Sequence, residues 1–141
     1  MDASECHILL IEDDENDAFF FRRIAAKLGF PGKLVAAATP EEGWHLLKQH
    51  ASLEKFHLVV SDGFWKSTDV RDLIVWMRHH PDYEQVPVVI YSGVASEHQR
   101  DLALATGADA VLMKPAHADE MDGRVREVLL HLPEHCRTWL Q

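Results

Sequence analysis

Cysteine is scarce: Cys6 and Cys136 stand near opposite ends of a 141-residue chain, with no C-x-x-C spacing. Such usage predicts neither a disulfide framework nor a zinc site, and both thiols fit a reduced compartment. Long apolar runs are also missing. Nothing approaches the roughly 20 residues a membrane-spanning helix needs, and Met1 to Glu5 lacks the basic start and apolar stretch of a signal peptide. A cytoplasmic protein without membrane insertion is expected. Basic residues are outnumbered, 14 Lys and Arg against 23 Asp and Glu, so the formal net charge is −9. A surface of that sign repels a phosphate backbone, which argues against direct nucleic-acid binding. The ten histidines are scattered without paired ligand spacing and read as solvated surface. Linkers, repeats and low-complexity segments are absent, so residues 1–141 read as one domain, with a core from about 7 to 132 and a tail from 133 to 141.

What is present is a regular alternation. Five short apolar runs recur, each followed by a helical pattern: His7–Ile11, Lys33–Ala37, His57–Val60, Val86–Tyr91 and Ala110–Met113. Ile8-Leu9-Leu10-Ile11, Leu58-Val59-Val60 and Val88-Val89-Ile90 are continuously apolar, the pattern of strands buried on both faces of a parallel sheet. Between the runs, Phe21, Ile24, Ala25 and Leu28 fall at helical spacing, with Gly29 placed to end that helix. Thr39-Pro40-Glu41-Glu42 reads as a cap with proline in the first turn, and Ser96 as the cap of a later helix. Leu73 to Met77 supplies another helix, and Asp119 to Leu132 the last. Alternating strands and helices with right-handed crossovers predict a parallel sheet covered on both faces. Trp139 and Leu140, near the end of the tail, are expected to pack on the domain.

In such a sheet, ligands bind beyond the carboxyl ends of the strands. There the chain places Glu12-Asp13-Asp14, Ser61-Asp62, Ser92-Gly93 and Lys114-Pro115. Two carboxylates about 4 Å apart repel by roughly 4 kcal/mol at an effective dielectric near 20, so Glu12, Asp13 and Asp62 call for a cation. Oxygen ligands in a site open to water suit Mg²⁺. Lys114 adds a movable charge, Ser92 a hydroxyl, and Gly93 room for close backbone approach. Carboxylate nucleophile, metal, lysine and hydroxyl are the parts that phosphoryl transfer requires.

These residues resemble the receiver domain of two-component response regulators, the CheY-like superfamily, in its stand-alone type. The carriers are Ile-Leu-Leu-Ile-Glu-Asp-Asp-Glu at 8–15, Leu-Val-Val-Ser-Asp at 58–62, Pro-Val-Val-Ile-Tyr-Ser-Gly at 87–93 and Gly-Ala-Asp-Ala-Val-Leu-Met-Lys-Pro at 107–115. The resemblance implies a flavodoxin-like (βα)5 fold, α/β and doubly wound, with five parallel strands in order 2-1-3-4-5. It implies that Asp62 accepts a phosphoryl group from a histidine kinase or histidine phosphotransfer protein. Glu12, Asp13, Asp62 and the Phe64 backbone carbonyl would serve Mg²⁺, Glu12 largely through water. Ser92 and Lys114 would hold phosphoryl oxygens, and Pro115 would follow a cis peptide. Such a protein is no enzyme in its own right, although it assists its own phosphotransfer and dephosphorylation. With no output domain in the sequence, its signal would leave by contact with a downstream protein or by onward phosphotransfer, from a monomer or weak dimer.

Some positions depart from the family pattern. The switch position, an aromatic in many relatives, is Val111, which predicts only small movements of the fifth strand. Apolar Phe64 and Val94 should disfavour an attacking water and prolong the aspartyl phosphate. Of Phe19, Phe20 and Phe21 at least one should be exposed, where kinases dock in the family, and Trp65 stands beside the site. The principal rival is a pseudo-receiver that binds partners without being phosphorylated. A haloacid-dehalogenase-type phosphohydrolase would need Asp-x-Asp-x-Thr after the first strand, and a flavodoxin a Ser/Thr/Gly-rich phosphate loop. Neither is present.

Overall fold

The computed structural model describes residues 2–50, 54–63 and 70–141. Five strands, β1 (His7–Ile11), β2 (Lys33–Ala37), β3 (Leu58–Ser61), β4 (Val88–Ser92) and β5 (Ala110–Met113), alternate with α1 (Glu15–Lys27), α2 (Pro40–His50), α3 (Val70–Arg78), α4 (Glu97–Thr106) and α5 (Met121–Leu129). All pairings are parallel, and the sheet order is β2-β1-β3-β4-β5, as expected.

The sheet is buried on both faces because its strands carry apolar residues at consecutive positions. Leu9, Ile11, Val59, Val88 and Ile90 join Leu47 of α2, Leu73, Ile74 and Met77 of α3 and Ala103 of α4 in one cluster. The alternate positions Ile8, Leu10, Leu58, Val60, Val89 and Tyr91 pack with Phe21, Ile24 and Ala25 of α1 and Val125, Val128 and Leu129 of α5. Each large side chain so buried contributes about 1.5–3 kcal/mol of transfer free energy. Phe19 and Phe20 are left exposed, and Trp139 stacks edge-on against Phe30.

Local signals account for the helix ends. Asp14 accepts from the Asn16 and Asp17 amides to cap α1. Ser96 and Gln99 form a capping box on α4, and Thr39 Oγ1 accepts from the Glu42 amide in α2. Gly29 and Gly107 end α1 and α4 at positive φ, where a Cβ is unfavourable. Strand limits shift by a residue or two from the apolar runs. Val86 donates to the Tyr83 carbonyl and so belongs to a turn. Ser61 pairs with both Ile11 and Ile90, which carries β3 past its last apolar residue. The last expected helix opens as a separate 3-10 turn at Ala118–Glu120 before α5.

Two expectations fail. Among the described residues no peptide bond is cis, so Pro115 follows a trans bond. Cys6 and Cys136 are not separate thiols: they form a disulfide across 130 positions of sequence. The cause is topological. The chain enters β1 just after a 3-10 turn at Ala3–Glu5, and after α5 the tail folds back through a second turn, Glu134–Cys136, against that same edge. His57 lies beside them, and burial lowers its pKa from the ordinary imidazole value, with His135, His7 and Lys55 acting in the same direction.

Candidate functional site

Hydrogen bonds that continue the sheet beyond its strand ends place the polar residues. Glu12 N–H donates to Ala37 O, Asp62 N–H to Ile11 O, and Lys114 N–H to Ser92 O. The end of each central strand is thereby tied to its neighbour, and the side chains that follow converge on one edge. One carboxylate oxygen from each of Glu12, Asp13 and Asp62 lies within 4.8 Å of the others. Their exposure is graded: Glu12 is buried, Asp62 intermediate and Asp13 exposed.

Lys114 crosses this cluster. Its Nζ donates to Glu12 Oε2 at 2.8 Å, to Asp17 Oδ2 at 3.0 Å and to Asp62 Oδ1 at 3.1 Å. Burial opposes the ammonium charge, but the Glu12 and Asp17 hydrogen bonds, with the field of Asp62, outweigh it and hold the lysine pKa above its ordinary value. Glu12 shows the opposite balance. Burial raises its pKa from 4.5 to about 7, against the Lys114 hydrogen bond and the Asp14 amide that accompany it. Only 4% of its side chain is exposed, and the nearby Asp62 charge adds to the upward push. The all-oxygen donor set fits a hard divalent cation.

Ser92 is buried at the end of β4, and its hydroxyl donates to Val94 O at 2.7 Å. Its neighbour across the site is Gly63, at φ +29°, where a Cβ would stand 2.9 Å from Ser92 Oγ. Gly63 is therefore the glycine the site requires. Gly93 is not: a Cβ there would meet nothing within 4 Å, contrary to the close approach expected of it. Val111 is buried in the sheet face shared with α3 and α4, and Val94 is exposed. Phe64 and Trp65 lie outside the described residues.

Two neighbours of the site escaped the sequence reading. Asp17 sits in the first turn of α1, where an acid is adequately explained by the helix dipole, yet it reaches Lys114. Tyr91 precedes Ser92 on the opposite face of β4, 5.9 Å from Phe21 by ring centroids, with Lys114 Nζ 5.9 Å from its own ring. Its hydroxyl is buried without a hydrogen-bond partner among the described residues. It shares a cavity with Glu12, Asp17, Phe21 and Lys114. An aromatic before a strand-end serine was the available signal, but an apolar strand absorbs it.

The sequence matches the response regulator receiver domain family over residues 8–126. Transcriptional regulatory protein GltR of Pseudomonas aeruginosa is 25% identical over 129 residues, a match that takes in 92% of this chain and 51% of that protein, so the chain spans about half its length. Among solved structures, the phosphorylated cyanobacterial phytochrome response regulator RcpA superposes with a TM-score of 0.78 at 20% identity, covering 87% of this chain and 90% of the other. The Mn(2+)-bound form of response regulator Rcp1 superposes with a TM-score of 0.77 at 18% identity, covering 96% and 95%. No helix among the described residues is long and apolar enough to cross a membrane. With a family match over most of its length, the same strand order and acids, serine and lysine at the strand ends, the chain belongs to the response regulator receiver domains of two-component signalling.

Proposed function

We propose that Asp62 is the phosphoacceptor. The observation that carries this reading is the contact of Lys114 Nζ with Asp62 Oδ1 at 3.1 Å, beside two further carboxylates within 4.8 Å. Glu12, Asp13 and Asp62, with the Phe64 carbonyl, would hold Mg²⁺, which when bound supplies positive charge against the phosphoryl oxygens. An Asp62 oxygen forms the new O–P bond as the P–N bond of a phosphohistidine breaks and returns its electron pair to the imidazole. Lys114 then pairs with a phosphoryl oxygen. Ser92 gives up the Val94 carbonyl and donates to another, a rotation about one side-chain bond. The donor is a histidine kinase or histidine phosphotransfer protein. The phosphorylated domain signals by contact with a downstream protein or by onward phosphotransfer. Exposed Phe19 and Phe20 on α1 offer the kinase an apolar contact.

The test is incubation with acetyl phosphate or phosphoramidate and Mg²⁺, followed by intact mass. One added phosphoryl group is expected, absent in Asp62→Asn. An unmodified wild-type chain that nevertheless binds its partner would establish the pseudo-receiver instead.

A further inference from the structure

The edge of the sheet opposite the carboxylates gathers a second, chemically different set of donors. Cys6 enters β1, His57 stands just before β3, and His135 and Cys136 occupy the 3-10 turn Glu134–Cys136. One ligand atom from each of the four lies within 4.8 Å of all the others. Both cysteines are fully buried, His57 is partly buried, and His135 is exposed. The two imidazoles stand 5.9 Å apart by centroids and nearly perpendicular. Two sulfurs and two imidazole nitrogens are the donor set of closed, tetrahedral zinc sites, and they discriminate against the hard cation suited to the all-oxygen edge.

We propose that Cys6, His57, His135 and Cys136 form a redox-gated zinc site, a disulfide when oxidised and a Cys2His2 zinc ligand set when reduced. The chemistry balances with a dithiol as reductant. It delivers two electrons and two protons, leaves as its own cyclic disulfide, and yields two cysteine thiols. Binding of Zn²⁺ then expels both thiol protons. The Cα atoms of the two cysteines are 5.8 Å apart, and the sulfurs of a tetrahedral site stand about 3.8 Å from one another, so side-chain rotation spans most of the change.

His57 must exchange one interaction for another. Its Nδ1 accepts from the His7 amide at 3.1 Å, which leaves the ring proton on Nε2. Zinc on Nε2 moves that proton to Nδ1 and breaks the hydrogen bond, while zinc on Nδ1 takes the lone pair that the amide now uses. Either way the His7 N–H loses its acceptor. Lys55 and His7 face His57 as well and contribute no negative charge, so the two thiolates alone neutralise the ion. The metal would tie the start of β3 to both chain ends, whereas the disulfide joins only the ends.

The inference is independent of phosphorylation and is tested on the full chain. Protein reduced with a dithiol and desalted anaerobically is titrated with Co²⁺ and then Zn²⁺. One equivalent of Co²⁺ should produce thiolate-to-cobalt charge-transfer absorption, which Zn²⁺ abolishes by displacement, and the His7 amide resonance should shift. Asp13→Asn/Asp62→Asn should retain the signal, which separates this site from the carboxylates. His57→Gln/His135→Gln keeps the disulfide for folding; once reduced, it should bind zinc at least tenfold more weakly. Absence of the absorption in reduced wild-type protein, or an undiminished zinc affinity in the histidine variant, overturns the assignment.

Discussion

Lys114 serves as the internal counter-ion of the acidic edge, and the balance between it and Glu12 has a measurable pH signature. Because burial raises the folded pKa of Glu12 to about 7 from 4.5, the folded chain binds more protons than the unfolded one between those values. That sign means metal-free stability falls as pH rises through this window. The Glu12 contribution should therefore favour the folded state at pH 4.5 and vanish into a penalty above pH 7, and Glu12→Gln should flatten the profile. Stabilisation by Mg²⁺ should grow over the same interval, because below it the cation must displace a proton. Thermal melts from pH 4.5 to 8, with and without Mg²⁺, check both statements. Replacing Lys114 by Met leaves three carboxylates, Glu12, Asp17 and Asp62, without their shared donor. A loss of about 2 kcal/mol is expected in metal-free urea denaturation at pH 7.5, with Mg²⁺ restoring part of it.

At the scale of elements, the strand ends matter more than the strands. Gly63 follows β3 at φ +29° and leaves just enough space for Ser92 Oγ at the end of β4. Gly63→Ala should cost about 1–2 kcal/mol through its backbone conformation and should slow phosphorylation by displacing Ser92. Urea melts and acetyl phosphate labelling read the two effects separately. The far ends of β4 and β5 depend on Arg78, at the close of α3. Its guanidinium donates to Val86 O and Gly107 O at 2.8 Å and to Asp109 Oδ2 at 3.0 Å, and Asp109 accepts in turn from the Val88 amide. Arg78→Met strips the carbonyls of two loops of their donor and should destabilise the domain by about 2–4 kcal/mol, measured by the same denaturation. Apolar runs predicted all five strands, and capping residues the end of α1 and the starts of α2 and α4. Arg78 was invisible in the sequence because, Asp109 apart, its partners are backbone carbonyls, which carry no residue identity.

For the whole molecule, the disulfide closes nearly the entire chain into one loop. Loop-closure entropy for 130 residues is worth about 5 kcal/mol in the unfolded-state account, and measured values centre nearer 2–4. Reduction in metal-free buffer should lower the unfolding free energy by about 2–5 kcal/mol, seen as a shift of the urea midpoint with dithiothreitol. Continuous apolar runs, alternation with helices, and acids, serine and lysine just past the strands determined the parallel sheet and its acidic edge, while the strand order and the candidate roles of Glu12, Asp13, Asp62, Ser92 and Lys114 came through the resemblance of those segments to receiver domains. These signals are local, and the rule that ligands gather at strand carboxyl ends converts sequence position directly into place. The Cys6–Cys136 pairing, the approach of His57 and His135 to it, and the reach of Asp17 to Lys114 were settled only by the tertiary structure. Each joins segments distant in sequence, or on different elements, through side-chain direction and chain-end packing, and no periodicity along the chain encodes which distant ends will meet.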